Sequence, residues 1–214
     1  VAVHPDDETL GCGGTILKHK KNQDNIFWLI ITKANDDGPL KIAEQQKKYV
    51  NEVATAYKFD KVYHLDFTTT KLDTYPLNSL VKQISDVIFE VKPDIIYLPN
   101  RTDVHSDHKI AFNAAYSCTK SFRYPFIKKI LMYETLSETE FAPSFITDTF
   151  APNYFVEIND YLYQKLEIMK LFTTEQMDKP FPRSLSSIEA LARIRGSRAG
   201  VEYAESFVLL YSIV

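Results

Sequence analysis

Short apolar runs alternate with amphipathic segments along the first half of this chain. The runs Val1–Val3, Ile26–Thr32, Lys61–Leu65 and Asp94–Leu98 are rich in isoleucine, valine and tyrosine. Runs of this length and composition are typical of strands that are buried on both faces of a sheet. Their alternation with helix-like segments is typical of βαβ units, so we expect an α/β fold with a parallel sheet.

Three amphipathic segments predict the helices of this first half. The clearest carries a single apolar stripe, which is formed by Leu77, Leu80, Val81, Ile84, Val87 and Ile88. Pro76 is well placed to open this helix, and Pro93 marks its end. Two further helices are predicted over Ile42–Tyr57 and from about His108 to Ser117.

The second half of the chain has a less regular pattern. It predicts strands at Ile130–Tyr133, Tyr154–Ile158 and near Phe207–Tyr211, and a helix around Tyr161–Phe172. Its prolines are concentrated at Pro143, Pro152, Pro180 and Pro182. We therefore expect loops and excursions that cap one end of the sheet. No linker rich in glycine or serine divides the chain, so residues 1–214 are expected to form a single domain.

Composition and charge exclude several classes of function. With a formal net charge of -3 and a pI near 6.0, the chain lacks the basic surface that binds nucleic acid. No run of about 20 apolar residues predicts a membrane span. Two isolated cysteines favour a reducing, cytoplasmic setting. The chain starts on Val1-Ala2-Val3 without a methionine, so we expect the native strand to extend upstream.

Two loops concentrate the side chains that can carry chemistry. His4–Glu8 (HPDDE) directly follows the first predicted strand, and Asp103–His108 (DVHSDH) follows the fourth; together they hold three of the five histidines. With right-handed crossovers, the expected strand order is 3-2-1-4, which makes strands one and four neighbours. Ligands of open α/β sheets bind at the carboxyl ends of such strands. The two loops are therefore predicted to meet in one crevice.

A catalytic zinc site takes three protein ligands of the imidazole and carboxylate type and leaves a position open for water. His4, Asp7 and His108 can supply that set. Other divalent transition metals accept the same ligands, so the native metal stays open. For either motif alone, a helix-capping cluster or a chance His-x-x-His is the simpler explanation. Their joint placement after strands one and four favours the metal site.

The other polar groups of the two loops have complementary uses. Asp6 lies beside the ligands but points elsewhere, and could take a proton from the attacking water. His105 could protonate a leaving amine. Asp107 could fix the tautomer and orientation of a histidine, and would raise the pKa of that histidine if it is His105.

The glycine-rich segment Leu10–Thr15 offers a rival function, because a dinucleotide pyrophosphate binds at such a turn. The register does not match GxGxxG, and the preceding carboxylates would repel a pyrophosphate. Close helix packing is the preferred explanation of these glycines. Cys12 could in principle be a nucleophile or a soft ligand, but a lone cysteine between apolar residues is usually buried and inert.

These motifs identify a family resemblance. His4–Glu8 resembles the A/HPDDE signature, and Asp103–His108 the D-x-H-x-D-H signature, of the PIG-L or LmbE-like zinc-dependent N-deacetylases. The resemblance covers most of the chain. Its supporting matches are Leu72-Asp73, Pro93-Asp94, Tyr133-Glu134, Pro152-Asn153, Arg195-Gly196, Gly200, Tyr203-Ala204-Glu205 and Phe207.

The resemblance implies a Rossmann-like three-layer fold with a mainly parallel sheet and an irregular C-terminal half that caps the active-site end. It assigns His4, Asp7 and His108 as zinc ligands and Asp6 as the general base. His105 would stabilise the oxyanion or protonate the amine, with Asp107 as its orienting partner. The implied reaction removes the N-acetyl group from an N-acetylglucosamine-type sugar.

One segment departs from the family pattern, and the role of a second segment stays open. Many relatives carry a substrate-binding arginine in the helix after the second strand, whereas Glu44–Lys48 has none. Arg101 or Lys33 could compensate. The segment around Arg195 could line the site or close the fold.

A different class of function, a metal-stabilised glycan-binding protein without turnover, is the alternative; an unliganded carboxylate such as Asp6 favours the enzyme.

Overall fold

The computed structural model describes residues 1–35, 40–145 and 147–214, with Leu40 described by its main chain alone. The helices are α1 (Asp7–Lys21), α2 (Leu40–Tyr57), α3 (Leu77–Val91), α4 (Ser106–Ser117), α5 (Leu162–Met169) and α6 (Leu185–Ala199). The strands are β1 (Phe27–Lys33), β2 (Lys61–Thr68), β3 (Ile95–Pro99), β4 (Lys129–Tyr133), β5 (Tyr154–Glu157) and β6 (Ala204–Ser212). A short 3-10 turn covers Leu72–Thr74.

The N-terminal residues lie between β1 and β3. Ala2 pairs in parallel with Ile30, and the amino group of Val1 donates to the carbonyl of Tyr97 on β3 at 2.9 Å. β1 also pairs in parallel with β2. The order of these segments is therefore β2, β1, the N-terminal residues, β3. This is the order 3-2-1-4 that was predicted from the sequence, and it places the HPDDE turn beside the end of β3.

The sheet is mixed rather than parallel throughout. The remaining strands follow in the order β3-β4-β6-β5. β4 is parallel to β3, but β6 is antiparallel to both β4 and β5. The expectation of a mainly parallel sheet thus holds for the first half of the chain and is wrong for the pairings of β6. A hydrophobic pattern shows that a segment is a strand without showing its direction, and antiparallel strands at the edge of a parallel sheet are common.

The core fills both faces of the sheet. Along β1, Leu29 and Ile31 belong to the apolar cluster that includes α3 and α4. Trp28 and Ile30 point the other way, into the cluster that includes α1, α2 and α5. Strands buried on both faces and flanked by helices confirm the predicted layering. Within the described ranges, none of the helices combines the length and apolar character that crossing a bilayer requires.

The glycine-rich segment lies inside α1 and packs closely, as predicted. A methyl group at Gly11 would overlap the ring of Tyr133, which is buried. The neighbouring main-chain amides of Gly14 and Thr15 donate to the carboxylate of Glu205 on β6 at 2.8 and 2.7 Å. Cys12 is buried beside them, and burial raises the pKa of its thiol, so the prediction of an inert cysteine also holds.

The C-terminal half is more regular than predicted, because it contains the 15-residue helix α6. Ser184 caps its amino end by accepting a hydrogen bond from the amide of Ser187, and Gly200 ends it with a φ of 76°. The buried stripe of α6 is narrow, consisting of Ile188, Ala192 and Gly196. Two of these residues are small, and prolines precede the helix, so its apolar signal in the sequence is weak.

Candidate metal centre and active site

The two predicted loops meet at the carboxyl ends of the central strands. The ring centroid of His4, in the first loop, lies 4.6 Å from that of His105 and 5.3 Å from that of His108, both in the second loop. These loops are separated by about a hundred positions, and the neighbour relation of the N-terminal segment and β3 brings them together. The structure therefore forms the single crevice that the strand order predicted.

His4, Asp7 and His108 form a group whose potential ligand atoms all lie within 4.8 Å of one another. Asp7 is fixed by two main-chain hydrogen bonds, because the amides of Val3 and His4 both donate to its Oδ2 at 2.9 Å. Burial alone would raise the pKa of Asp7, but the adjacent His108 and His4 rings lower it. Two imidazoles and one ionised carboxylate are a donor set that suits zinc and related ions.

The imidazole of His108 is arranged as a ligand should be. Its Nδ1 lies 2.8 Å from Oδ2 of Asp103, whereas its buried Nε2 has no hydrogen-bond partner among the described residues. A proton on Nδ1 leaves the lone pair of Nε2 directed at the crevice. Burial opposes protonation, yet the carboxylates of Asp7 and Asp103 raise the pKa of His108 to about 9. The pocket thus favours a cation at this ring, and the ligand set fits a divalent metal.

Asp103 contacts a potential ligand, although the motif alone assigned it no role of its own. It is buried, and its carboxylate also accepts hydrogen bonds from Asn100 Nδ2 at 2.8 Å and Thr139 Oγ1 at 2.6 Å. The available signal was its position at the start of the D-x-H-x-D-H motif. Partners that hold the outer nitrogen of a ligand histidine fix its tautomer and increase its basicity.

Asp103→Asn should weaken metal binding about 10-fold to 100-fold, since the amide cannot hold His108 as a carboxylate does. The measurement is a competition titration of the purified protein against a chelating dye. Asp66→Asn, at an exposed position on β2, is the matched control and should bind metal like the wild type. Equal affinities for the two variants would show that Asp103 does not support a ligand.

His105 and Asp107 pair differently from the prediction. Nδ1 of His105 accepts the main-chain amide of Asp107 at 3.1 Å, which leaves the proton of the neutral ring on Nε2. The carboxylate of Asp107 faces His4 Nε2 at 3.3 Å and accepts the amides of Thr70 and Leu72. The pKa of His105 is lowered, first by burial and then by His4 and His108, and these effects outweigh the rise that Asp107 causes. His4, His105 and Asp107 form a second group of potential ligands.

Asp6 belongs to neither group of potential ligands. Its backbone has a φ of 142°, in a region that residues with side chains rarely adopt, and such strain concentrates at functional sites. The side chain is buried, and its Oδ2 accepts a hydrogen bond from Nη1 of Arg183 at 2.7 Å. Burial raises the pKa of Asp6 well above its ordinary value, while the guanidinium opposes this rise. Asp6 is therefore a carboxylate that lies beside the potential metal ligands and is held by Arg183.

Arg101 and Arg195, the arginines named from the sequence, bond to groups outside the two sets of potential ligands, whereas Arg183, which was not named, bonds to Asp6. Arg101 donates to the carbonyl of Thr147 at 2.6 Å. Arg195 forms a two-bond ion pair with Glu134 at 2.8 and 2.6 Å, which favours its fold-closing role. Arg183 contacts Asp6 directly, and no local pattern in the sequence connects positions 177 residues apart.

A cavity of about 520 Å³ lies elsewhere, at the amino ends of the strands. It is lined by Val1, by Phe27 and Trp28 of β1, and by Ile95 of β3. None of the histidines and aspartates of the two groups of potential ligands lines it. The potential ligands therefore lie outside this cavity, although Glu8 of the HPDDE turn lines it.

Comparisons with known proteins identify the family to which the chain is similar. Residues 1–119 match the PIG-L family, described as GlcNAc-PI de-N-acetylase. The chain is 24% identical to the diacetylchitobiose deacetylase of Thermococcus kodakarensis, over 96% of this chain and 79% of that protein.

Solved structures share the fold. The N,N'-diacetylchitobiose deacetylase of Pyrococcus horikoshii, complexed with its inhibitor MPG, matches with a TM-score of 0.79 and 22% identity; the match covers 98% of this chain and 82% of that one. GalB, the 4-carboxy-2-hydroxymuconate hydratase of Pseudomonas putida KT2440, matches with a TM-score of 0.77 and 13% identity, over 100% and 95%. At these identities the likeness concerns the fold alone.

Proposed function

The chain belongs to the PIG-L family, and from this premise we propose that it is a metal-dependent hydrolase of N-acetylated sugars. The family match confirms the resemblance that was inferred from the two motifs. The proposed reaction removes the N-acetyl group from an N-acetylglucosamine-type sugar or glycoconjugate and releases acetate and a free amine. One observation carries the proposal. Nε2 of His108, which has no hydrogen-bond partner among the described residues, lies with His4 and Asp7 in one group of potential ligands, and the neighbouring carboxylate of Asp6 belongs to no such group.

His4, Asp7 and His108 would hold the metal, for which zinc is the proposed identity. When bound, the ion would polarise the acetamide carbonyl and acidify the attacking water. Asp7 supplies the anionic ligand, and its two main-chain hydrogen bonds keep it in place. The carboxylate of Asp103 contacts Nδ1 of His108, the ring nitrogen that would not bind the metal. Because these supports are main-chain amides and a buried carboxylate, the ligand set is rigid before substrate arrives.

Asp6 is the proposed general base. A carboxylate that does not bind the metal is free to take the proton of the water that attacks the acetamide carbon. Its burial favours this transfer, because a buried carboxylate binds a proton more readily than an exposed one. Asp6 can then deliver this proton to the sugar nitrogen as the carbon–nitrogen bond breaks, which leaves the free amine and acetic acid, and the acid ionises to acetate at neutral pH.

His105 is the proposed group that faces the oxyanion. Its Nδ1 is engaged by the amide of Asp107, so Nε2 carries the hydrogen in the neutral ring. That hydrogen can bond to the negative oxygen of the tetrahedral intermediate. Asp107 thus acts on His105 through its main chain, while its carboxylate faces His4.

Acetate release from a panel of N-acetylglucosaminides tests the proposal. The panel includes N,N'-diacetylchitobiose, N-acetylglucosaminyl-phosphatidylinositol and free N-acetylglucosamine. We expect acetate and a primary amine in equal amounts from at least one member, loss of release after dialysis against a chelator, and recovery on adding zinc. Sugar binding without release by the metal-loaded protein would support the alternative of a glycan-binding protein.

A cytoplasmic location stays a prediction from the sequence.

A further inference from the structure

Arg183 lies directly before the capping residue of α6, and its guanidinium joins three segments of the chain. Nη1 donates to Asp6 Oδ2 at 2.7 Å and to Glu175 Oε2 at 2.8 Å. Nη2 donates to Glu138 Oε1 at 3.2 Å, and Nε to Ser137 Oγ at 2.8 Å. The guanidinium of Arg183 therefore links the HPDDE turn, the turn after β4 and the segment before α6.

These contacts make Arg183 the charged partner of Asp6 in the described part of the chain. The side chain of Asp6 is 3% exposed and that of Arg183 is 17% exposed, so water screens their attraction poorly. A guanidinium is planar and presents its donors in a fixed fork. With its Nε and Nη2 donors engaged by Ser137 and Glu138, this fork has little freedom to turn, and neither has the carboxylate bonded to it.

Asp6 needs such a restraint because of where it lies. Its main-chain amide donates to Glu8 Oε2 at 3.2 Å, which fixes the backbone but leaves the carboxylate free to rotate. The next residue, Asp7, belongs to the potential ligand set. Without a competing cation, the strongest attraction for the carboxylate of Asp6 would be the metal itself. A base that joined the ligands could no longer act on the water.

We propose that Arg183 is a positioning residue that holds the carboxylate of Asp6 outside the metal ligand set, where it can act on the attacking water. This inference rests on the proposed function. Arg183 acts through Asp6, and its remaining contacts with Ser137, Glu138 and Glu175 hold the guanidinium in place. Through Arg183, the segment that precedes α6 has a proposed role at the active-site end of the sheet.

Steady-state kinetics of Arg183→Gln and Arg183→Lys test the proposal. A misplaced catalytic group costs about 100-fold, so we expect kcat of Arg183→Gln to fall by about that factor, with KM changed by less than about threefold. Arg183→Lys keeps the charge without the fork and should lie between the wild type and Arg183→Gln. Arg193→Gln is the matched control: Arg193, on α6, also pairs with two glutamates, Glu189 and Glu202, but is exposed, and its variant should keep wild-type kinetics.

Two further readouts separate positioning from a general structural role. In the background of Asp6→Asn, Arg183→Gln should cause no additional loss, because the group that it positions is already disabled. Cobalt-substituted Arg183→Gln should show a visible absorption spectrum different from that of the wild type, since Asp6 is free to approach the ion. A misfolded variant would instead lose metal and thermal stability, and Arg183→Lys then decides the question.

Three results would overturn the inference. The first is a kcat of Arg183→Gln within about twofold of the wild type. The second is a rise in KM with kcat unchanged. The third is a further loss of kcat in the Asp6→Asn background that is as large as the loss in the wild-type background. The second would mean that Arg183 binds substrate, and the third that it acts independently of Asp6. Wild-type protein that releases no acetate from any substrate would refute the proposed function instead, so the two failures are distinguishable.

Discussion

Asp6→Asn should lower kcat by about 100-fold to 10,000-fold, the usual contribution of a positioned acid or base, while the protein keeps its metal. Asparagine has nearly the same shape as aspartate but cannot take a proton from water. Because Asp6 lies in neither potential ligand group, its loss should leave metal content unchanged. Acetate release and elemental analysis of the same preparation measure the two effects together.

The control for this variant is Asp60→Asn. Asp60 also pairs with a cation, accepting from Lys20 Nζ at 2.8 Å, but this ion pair is exposed and distant from the crevice. Its variant should keep both activity and metal. If Asp6→Asn lost its metal, Asp6 would be a ligand rather than the base, and the roles of Asp6 and Asp7 would have to be reassigned.

His108→Ala should abolish stoichiometric metal binding and, with it, measurable acetate release. The substitution removes one of the two proposed nitrogen ligands and also leaves the carboxylate of Asp103 without its histidine. A site with two remaining ligands does not compete with water and buffer for a catalytic metal. Metal content after gel filtration, measured by mass spectrometry of the element, gives the result directly.

His64→Ala serves as the matched control for His108→Ala. His64 is an exposed histidine on β2 whose Nε2 contacts the carbonyl of Thr32 at 2.9 Å, and it belongs to neither group of potential ligands. This variant should carry metal and release acetate like the wild type. A His108→Ala protein that folds, retains a stoichiometric ion and still turns over would show that the metal binds elsewhere.

The convergence of the two loops could be predicted because it depends on rules that the sequence expresses directly. Apolar runs locate the strands around Val3 and Leu98, and the handedness of crossovers makes these strands neighbours. The polar residues that follow each strand then meet at the same edge. His4, Asp7 and His108 come together in the structure for this reason.

Contacts between individual atoms lay beyond such rules. Asp103 and Asp107 belong to one motif, and spacing alone does not show which carboxylate meets which imidazole. The structure pairs Asp103 with His108 and turns the carboxylate of Asp107 toward His4. Those pairings depend on the rotation of α4 and on amides of the turn near Thr70.

Arg183 and β6 show the same limit over longer distances. Arg183 meets Asp6 because the segment before α6 folds over the ends of the strands, and no periodicity encodes that path. β6 pairs antiparallel with β4 and β5, and a hydrophobic pattern is the same in either direction. The short buried stripe of α6 likewise gave little signal.

Anomalous diffraction from crystals of the purified protein, recorded on both sides of the absorption edge of its metal, tests the central claim most directly. We expect one strong peak bounded by His4, Asp7 and His108, with the carboxylate of Asp6 outside the coordination sphere and bonded to Arg183. A peak bounded instead by His4, His105 and Asp107, or one far from the crevice, would contradict the assignment of both the ligands and the base.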